Sequence, residues 1–511
     1  MKSISATGRG KKSATDKHLR GSSMLLMGKL IAVGVNFLTQ VLTVRYLTQA
    51  DYGAFTFGLA AVAFFNHVST LGLRTTVPRF IPIYHEKDEL GKIPGTIAIT
   101  LLTILFTSIL IIGTAWFSPD TITHIMNGQN RGTDLLLILI FLVPVEAVDA
   151  LLIALFASFA SPKAIFFRKY ILGPGLKLLV AGSMIVLQAD VLFIGYGYLA
   201  AAVAGIAIYS SVLVKLLARE GIFALKTKIV LPFRELFSFS LANFITDVLV
   251  GLTPFVATLL IGQHQGAAEI ALFRVILPLA HLNRIVKMSF ETLYVPAAAR
   301  KFANGDMQGL NDLYWRTAAW MSIISFPLFL VTFAQARFIT VLSYGARYET
   351  SWFFLSIFSF AYYMQTLTGF NALTLKIIGK LKYVVTIHVL ASLLAIGANW
   401  ILVPLYGARG AALATVGSMV VHNILKHAGL AQAKGIHMFD RLYLEPYLYI
   451  VFCSSALFLL QLYTSVSTYI LIPAICVCSV ILLMRSKRKL QVSETFPELS
   501  KLPFIGKFLS S

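Results

Sequence analysis

Residues 24–92 decide the fold, because they read as two hydrophobic helices followed by a basic segment. They begin with MLLMGKLIAVGVNFLTQVLTVRYL at 24–47, continue with DYGAFTFGLAAVAFFNHVSTLGL at 51–73, and close with RTTVPRFIPIYHEKDELGK at 74–92. Each apolar part is long enough to cross the roughly 30 Å hydrocarbon core of a bilayer as an α-helix. We therefore interpret the stretch as two membrane-spanning helices and a basic loop.

A weaker copy of this stretch occurs 218 residues later, where Pro78 is matched by Pro296 and Phe55 by Phe273. The same offset pairs Asp51 with Glu269, Val77 with Val295, Asp88 with Asp306 and Gly91 with Gly309. Because one offset holds without a gap, we interpret the pattern as an internal duplication.

The composition of the chain excludes a soluble protein. The 511 residues are 57% hydrophobic and only 13% charged, and the mean hydropathy is +0.79. These values are typical of a polytopic membrane protein. The three cysteines, Cys453, Cys476 and Cys478, lie in the last apolar segments and indicate neither a disulfide framework nor a metal site. No cofactor is expected.

Fourteen apolar segments have the length of a membrane span. They lie at 24–46, 53–73, 93–117, 134–158, 165–187, 191–214, 236–262, 267–290, 314–335, 351–375, 383–405, 409–430, 444–464 and 467–484. Lys and Arg residues test this number, because they accumulate in cytoplasmic loops. With a cytoplasmic N-terminus, 35 of the 43 fall on the inside and five on the outside. The count favours fourteen helices with both termini cytoplasmic.

This distribution also explains the net charge of +21 without nucleic acid, which is not an expected partner. The sequence predicts an all-α membrane protein with two parallel-repeat six-helix lobes around a central cavity and two further C-terminal helices. The predicted parts are a basic cytoplasmic extension at 1–23, an N-lobe at 24–217, a cytoplasmic linker at 218–235, a C-lobe at 236–432, the two added helices at 433–485 and a basic cytoplasmic tail at 486–511.

Basic side chains inside these helices are candidates for a binding site. A charged residue near the centre of a bilayer costs about 2.5–3.5 kcal/mol on insertion scales, so it normally faces protein or water. Lys29 shares one helix face with Asn36, Gln40 and Thr43, and Arg45 follows at the outer end of that helix.

Lys177 follows the Gly-Pro-Gly break at 173–175, and Arg274 lies seven residues before His281. Lys29, Arg45, Lys177 and Arg274 are therefore the predicted substrate-binding residues, suited to a phosphate or pyrophosphate group. The alternatives are that Lys29 extends to the cytoplasmic surface, that Arg45 anchors its helix at the interface, and that Arg274 pairs with an acidic neighbour.

Acidic residues inside the helices are candidates for ion coupling. Glu146 and Asp149 lie three residues apart on one face of their segment, and Asp247 lies in the middle of another. They could bind a proton or a sodium ion that drives transport. Ion pairs with Lys177 or Arg274 that hold helices together would explain them equally well.

No sequence signature of an enzyme accompanies these charges. The chain has no Walker loop, no paired zinc-ligand spacing and no nucleophile elbow, and its predicted outer loops are short. The protein is therefore not expected to be an enzyme.

Several motifs resemble a known family of transporters. They are Gly28-Lys29 near the inner end of the first helix, RYLTQADYGAFTFGLA at 45–60 and LGLRTTVPRF at 71–80, and the stretch from Arg45 to Gly53 is the most specific. The sequence resembles polysaccharide transporters, the lipid-linked oligosaccharide flippases of the multidrug/oligosaccharidyl-lipid/polysaccharide exporter superfamily. The resemblance covers residues 24–432. Fourteen helices also occur in the lipid II flippase branch.

The resemblance implies a V-shaped helical bundle that opens alternately to the two sides of the bacterial inner membrane. It implies an undecaprenyl-pyrophosphate-linked oligosaccharide repeat unit as substrate, used for O-antigen, capsule or exopolysaccharide. The expected partners are this anionic lipid-linked glycan, the membrane lipids, a polysaccharide polymerase and glycosyltransferases. A cation-coupled multidrug exporter of the same superfamily and an intramembrane glycan-modifying enzyme are the alternative functions.

Overall fold

The computed structural model describes residues 5–125, 128, 130–159, 161–220, 228–433, 436–437, 439–464, 467–486 and 490. These residues form helices and connecting turns, with no strand among them. Most of the predicted tail at 486–511, residues 221–227 of the predicted linker and residues 1–4 lie outside this set.

The chain divides into two compact units, Met1–Ala271 and Leu272–Ser511. The helices that begin in the first unit are α1 (Ser5–Tyr46), α2 (Gln49–Ser69), α3 (Leu73–Glu86), α4 (Lys92–Phe117), α5 (Pro119–Ile125), α6 (Asn130–Leu139), α7 (Leu142–Ser158), α8 (Pro162–Ile165), a π-helix (Phe166–Leu172), α9 (Gly173–Val186), α10 (Val191–Arg219), α11 (Phe233–Gln265) and α12 (Ala267–Arg274). The last of these crosses into the second unit.

The second unit continues with shorter helices and then long ones. They are α13 (Leu277–His281), a 3-10 turn (Leu282–Arg284), α14 (Ile285–Ala303), α15 (Met307–Ala334), α16 (Ala336–Tyr344), a 3-10 turn (Ala346–Ser351), α17 (Trp352–Leu367), α18 (Asn371–Ile377), α19 (Leu381–Ala431), a 3-10 turn (Arg441–Tyr443), α20 (Leu444–Thr464) and α21 (Thr468–Ser486).

The division at Ala271 comes later than the linker predicted at 218–235. The reason is the packing of α11, which was predicted to open the C-lobe, against α2. The Phe64 and Phe255 rings stack with their centres 5.1 Å apart, and Phe57 also lies against Phe255. These contacts assign α11 to the first unit.

The predicted basic loop at 74–92 is wrong, because residues Leu73–Glu86 form the helix α3. Pro78 and Pro82 lie inside it, and each proline removes one backbone hydrogen bond. Val77, Ile81 and Tyr84 are nevertheless almost fully buried and pack in one core with Leu151 of α7. Their burial outweighs the two missing hydrogen bonds.

Ten helices among the described residues are long and apolar enough to cross a membrane. The bent pair of α2 and α3, which meet at 45°, raises that number to as many as eleven. Segment 267–290 is interrupted near Pro278, and segment 351–375 contributes the 16-residue helix α17, so neither qualifies alone.

The helix α19 contains two predicted segments, 383–405 and 409–430. A straight helix of its 51 residues would be about 76 Å long, well over the thickness of a bilayer. At Gly407, however, φ is 58° and ψ is −139°, which is not helical backbone. Glycine tolerates a positive φ, so this residue breaks the helix into two parts. The number fourteen stays a prediction.

The duplicated positions have similar structural settings in the two copies. Phe55 is 3% exposed in α2 and Phe273 is 4% exposed in α12, and each makes edge-on contacts with other aromatic rings. Pro78 and Pro296 both lie inside helices that precede a long apolar helix. Asp306 caps that next helix in the second copy by accepting a hydrogen bond from the backbone N–H of Gly309.

Candidate functional site

A charged cavity in the first unit is the candidate functional site. It has a volume of about 190 Å³ and lies between α1, α7, the π-helix, α9 and α10. Five ionisable side chains line it, namely Glu146, Asp149, Arg168, Lys169 and Lys177. Three are basic and two acidic, so basic groups outnumber acidic groups in the cavity.

The arginine of this cavity is held by an ion pair. Arg168 Nη2 lies 2.7 Å from Asp149 Oδ1, and the two side chains are 7% and 27% exposed. The guanidinium also lies over the Tyr209 ring, 5.8 Å from its centre. Gly205 leaves room for it, because a Cβ atom there would lie 2.9 Å from the guanidinium carbon. Asp149 of α7 and Tyr209 of α10 thus hold Arg168 inside the unit, where Gly205 leaves space for it.

Local backbone structure places the two neighbouring basic residues. Arg168 and Lys169 belong to the π-helix Phe166–Leu172, which ends directly before Gly173 and Pro174. Pro174 has no N–H to donate to an earlier carbonyl, which favours a local change of helical repeat. The π-helix is wider than an α-helix, and Lys169 as well as Arg168 lines the cavity. Such short π-helices are frequent at functional sites.

The lysine on α9 completes the cavity. Lys177 Nζ lies 5.3 Å from the centre of the Tyr198 ring, and Lys177 is also within electrostatic reach of Glu146. An ammonium group over an aromatic face is favourable by about 0.5–2 kcal/mol. Of the predicted site residues, the structure therefore brings Glu146, Asp149 and Lys177 together. Asn36 of the predicted polar face on α1 joins them.

The other predicted residues of the first unit lie elsewhere. Lys29 is half-buried on α1, next to Gly28, which packs against the Phe166 ring of the π-helix. Arg45 is exposed in the last turn of α1. Asp247 is half-buried on α11, and its electrostatic neighbour is Arg74, which also reaches Glu146.

A second group of basic residues lies in the second unit. Arg274 is half-buried in the last turn of α12 and interacts electrostatically with His281. The ring atom His281 Nε2 is 2.7 Å from the hydroxyl of Tyr362, and the guanidinium carbon of Arg284 lies 5.7 Å from the centre of the Tyr362 ring.

Lys287 is the most enclosed member of this basic cluster. Its ammonium donates hydrogen bonds to the backbone carbonyls of Gln365 at 2.5 Å and Gly369 at 2.7 Å. Lys426 and Arg284 lie within electrostatic reach of it. Since carbonyl groups carry no net charge, these two contacts bring no carboxylate to the ammonium group, although Glu291 lies within electrostatic reach of it.

Sequence reasoning missed Arg168, Arg74, Arg284, Lys287 and Lys426. All five lie at or near the ends of predicted apolar segments, where basic residues are expected to reach the cytoplasmic surface. Arg168 lies inside predicted segment 165–187, and this position in an apolar segment was a signal that its side chain is buried within the protein. The π-helix that places it has no comparable signature in the sequence.

The stretch from Arg45 to Gly53, the most specific motif of the sequence, has a structural role. Thr48 caps α2 by accepting a hydrogen bond from the Asp51 backbone N–H at 3.1 Å, and its hydroxyl donates to the Asp51 carboxylate at 2.7 Å. Tyr52 is 4% exposed and accepts a hydrogen bond from Gln40. A Cβ atom at Gly53 would lie 1.7 Å from the Ala267 carbonyl oxygen. The motif therefore starts α2 and permits its close packing.

Solved structures with this fold are membrane transporters. The chain is similar to the lipid II flippase MurJ in an inward closed conformation, with a TM-score of 0.65 and 15% identity over 93% of this chain and 99% of that one. It is similar to an inward-facing multidrug resistance MATE transporter of the MOP superfamily, with a TM-score of 0.61 and 13% identity over 78% and 93%.

A third similar structure is a MOP superfamily transporter from Pyrococcus furiosus, described as having a binding pocket whose reverse polarity suggests a different function. Its TM-score is 0.55, with 14% identity over 86% of this chain and 96% of that one. At these identities the likeness shows the fold. No curated protein matches the sequence.

The sequence itself matches a family. The polysaccharide biosynthesis protein family matches residues 18–302, which is more than half of the chain. This match includes the first copy of the repeat, the Arg45–Gly53 motif and every residue that lines the charged cavity, and it confirms the predicted resemblance. The chain belongs to the polysaccharide biosynthesis protein family.

Proposed function

We propose that the protein is a flippase for a lipid-linked oligosaccharide with an anionic phosphate or pyrophosphate group. The observation that carries the proposal is the charged cavity, in which Arg168, Lys169 and Lys177 face two carboxylates among apolar helices. The family match and the fold shared with a lipid II flippase support it.

The size and chemistry of the cavity suit one charged group of a larger substrate. Sites that enclose a whole drug-sized ligand measure roughly 300–1,000 Å³, which exceeds the volume of this cavity, about 190 Å³. Guanidinium groups bind phosphate oxygens through two parallel hydrogen bonds, and lysines add positive charge. The cavity would receive the phosphate group, while sugars and polyprenyl chain lie outside it.

The proposed substrate is an undecaprenyl-pyrophosphate-linked repeat unit of O-antigen, capsule or exopolysaccharide. It would cross the bacterial inner membrane from the cytoplasmic to the outer leaflet by alternating access. Both termini of the protein are then cytoplasmic. Glycosyltransferases would supply the substrate and a polymerase would consume it, so both are proposed partners. The protein itself acts as a transporter and catalyses no covalent step.

Ion coupling is part of the proposal, with a proton or a sodium ion as the driving ion. Asp247 is the best candidate to bind it, because its Oδ2 atom is buried and accepts no hydrogen bond among the described residues. Glu146 and Asp149 are the other candidates, although Asp149 is already paired with Arg168. The substitution Asp247→Asn should abolish the pH or sodium dependence of transport. An unchanged ion dependence would assign Asp247 a structural role.

A multidrug exporter is the alternative, favoured by the fold shared with MATE transporters. That function requires carboxylates that attract a cationic drug. Here Asp149 is occupied by Arg168 and Glu146 lies within reach of Lys177. The excess of basic groups in the cavity favours an anionic substrate instead.

A deletion strain separates the two functions. Loss of a flippase should lead to accumulation of a lipid-linked oligosaccharide on the cytoplasmic leaflet, measured by extraction and by its protection from externally added enzymes. Sensitivity to cationic drugs should stay at the parental level. Increased drug sensitivity without accumulation of the lipid would favour the exporter and contradict the flippase.

Complementation of this strain tests the predicted residues. Lys177→Gln should reduce polysaccharide export, because it removes a positive charge from the cavity, whereas Lys163→Gln removes an exposed lysine of α8 and should not. Arg274→Ala should abolish export at normal membrane levels, and Arg274→Lys should retain part of it. Wild-type export by Arg274→Ala would exclude that residue from the site.

A further inference from the structure

An open groove in the second unit lies outside the charged cavity. Its volume is about 510 Å³, and it lies where α20 begins and α21 ends. Arg441, Glu445 and Arg485 line it together with Tyr449 and Phe452. The two helices follow the predicted repeat, and none of these residues was assigned a function above.

The groove has more basic than acidic groups. Arg441 projects from the 3-10 turn before α20, and the Arg485 side chain in the last turn of α21 is 62% exposed. Arg485 Nη1 is 3.9 Å from Glu445 Oε1, which is longer than a hydrogen bond. The Arg485 guanidinium carbon also lies 6.0 Å from the centre of the Tyr449 ring. Two arginines against one carboxylate leave one positive charge for a ligand.

The other part of the groove is apolar. Leu444, Leu448 and Phe452 recur every four residues on α20 and are 45%, 59% and 71% exposed. That spacing places them in one row along the helix. The lining therefore changes from charged residues at the helix ends to a row of exposed apolar side chains further along α20.

We propose that this groove binds an anionic phospholipid of the surrounding membrane. Its phosphodiester would lie between Arg441 and Arg485, and one acyl chain would lie along Leu448 and Phe452. Tyr449 suits the boundary, because tyrosine places an apolar ring and a polar hydroxyl at the membrane interface. Basic pockets between transmembrane helices are recognised sites for anionic lipid headgroups.

The charge pattern and the apolar row together favour a lipid over a small soluble anion. A free phosphate would contact the arginines alone and would gain nothing from the row on α20. A zwitterionic lipid would fill the row, but its headgroup has no net charge to match the excess arginine. The site is independent of the proposed flippase activity, because neither arginine lines the charged cavity.

Native mass spectrometry of the full-length protein in detergent tests the proposal with phosphatidylglycerol and phosphatidylcholine as probes. Each arginine near a membrane surface contributes about fivefold to the affinity for anionic lipid. Arg441→Gln with Arg485→Gln should therefore weaken phosphatidylglycerol binding roughly 25-fold and leave phosphatidylcholine binding unchanged. Arg337→Gln is the matched control, since Arg337 is 63% exposed and also pairs with a glutamate.

A second variant should act in the opposite direction. Glu445→Gln removes the one carboxylate among the described residues that line the groove, and it should tighten phosphatidylglycerol binding several-fold. A mere loss of stability would not produce a gain in affinity. Inorganic phosphate should not displace phosphatidylglycerol from the wild-type protein.

Four results would overturn the proposal. The first two are equal binding of the two lipids by the wild type, and equal loss of lipid in the double variant and in Arg337→Gln. The third is an unchanged affinity in Glu445→Gln, and the fourth is displacement of the lipid by inorganic phosphate, which would show a small-anion site instead. Each result is independent of whether the protein moves a lipid-linked glycan.

Discussion

The charged cavity of the first unit and the basic cluster of the second hold positive charge among apolar helices in different ways. In the cavity, Arg168 is paired with the carboxylate of Asp149 at 2.7 Å. In the cluster, Lys287 donates to two backbone carbonyls, those of Gln365 and Gly369. The first arrangement pairs the arginine with an opposite charge, and the second satisfies the ammonium group with neutral acceptors.

This difference predicts different responses to substitution. Removing one member of an ion pair leaves a buried charge, whereas removing a lysine from two carbonyls leaves two neutral acceptors without a donor. It also predicts different roles. Under the proposed function, Arg168 would exchange Asp149 for a substrate phosphate, whereas the carbonyl contacts of Lys287 offer no carboxylate to displace.

The largest expected effect is the loss of one member of the ion pair. Asp149→Leu should lower the free energy of unfolding by about 3 kcal/mol, near the lower limit for buried pairs because Asp149 is 27% exposed. The double variant Asp149→Leu with Arg168→Met should recover much of this loss. Denaturant unfolding of the purified protein in detergent measures both. A double variant as unstable as the sum of the single variants would contradict an ion pair.

A smaller effect is expected in the basic cluster. Lys287→Met should cost about 2 kcal/mol, because two carbonyls lose a charged donor. Lys301→Met on the same helix is the control. Lys301 pairs with Asp306 at 3.0 Å and is 39% exposed, so its loss should cost less than about 1 kcal/mol. Equal effects of the two substitutions would show that the carbonyl contacts of Lys287 add no stability.

The space around Arg168 gives a third comparison. Gly205→Ala should cost about 1 kcal/mol, since the new Cβ displaces the flexible end of the Arg168 side chain. Gly175→Ala is the control, because no atom lies within 4 Å of a Cβ atom there. Full stability and full export of Gly205→Ala would show that neither property depends on the position of the Arg168 guanidinium.

The smallest effect is expected for an exposed ion pair of the second unit. Arg337 and Glu349 pair with side-chain exposures of 63% and 37%. Arg337→Gln should change the free energy of unfolding by less than about 1 kcal/mol, and added salt should reduce even that difference. If Arg337→Gln lowers the free energy of unfolding as much as Asp149→Leu, burial does not explain the difference between the two ion pairs.

Sequence patterns predicted the parts of the fold that depend on composition and spacing. The apolar segments, the family motif at Arg45–Gly53 and the matched pair Phe55 and Phe273 could all be read in this way. Sequence patterns failed where tertiary packing outweighs the local conformational preference of the chain. Residues 74–92 were interpreted as a basic loop, but burial of Val77 and Ile81 stabilises α3 as a helix.

The candidate site was predicted only in part for the same reason. Glu146, Asp149 and Lys177 were identified because charges in the middle of apolar segments are conspicuous. Arg168 was not identified, since a basic residue near the start of predicted segment 165–187 is expected to reach water. Its burial depends on a π-helix and on the space left by Gly205, and neither can be read from hydrophobic periodicity.

Reconstitution tests the central claim most directly. Vesicles containing the purified protein would receive a fluorescent undecaprenyl-pyrophosphate oligosaccharide, and a membrane-impermeant quencher would report its movement between leaflets. We predict faster movement with the wild type than in empty vesicles, and a marked loss with Lys177→Gln but not with Lys163→Gln. Movement at the rate of empty vesicles, or equal rates for the two lysine variants, would contradict the account.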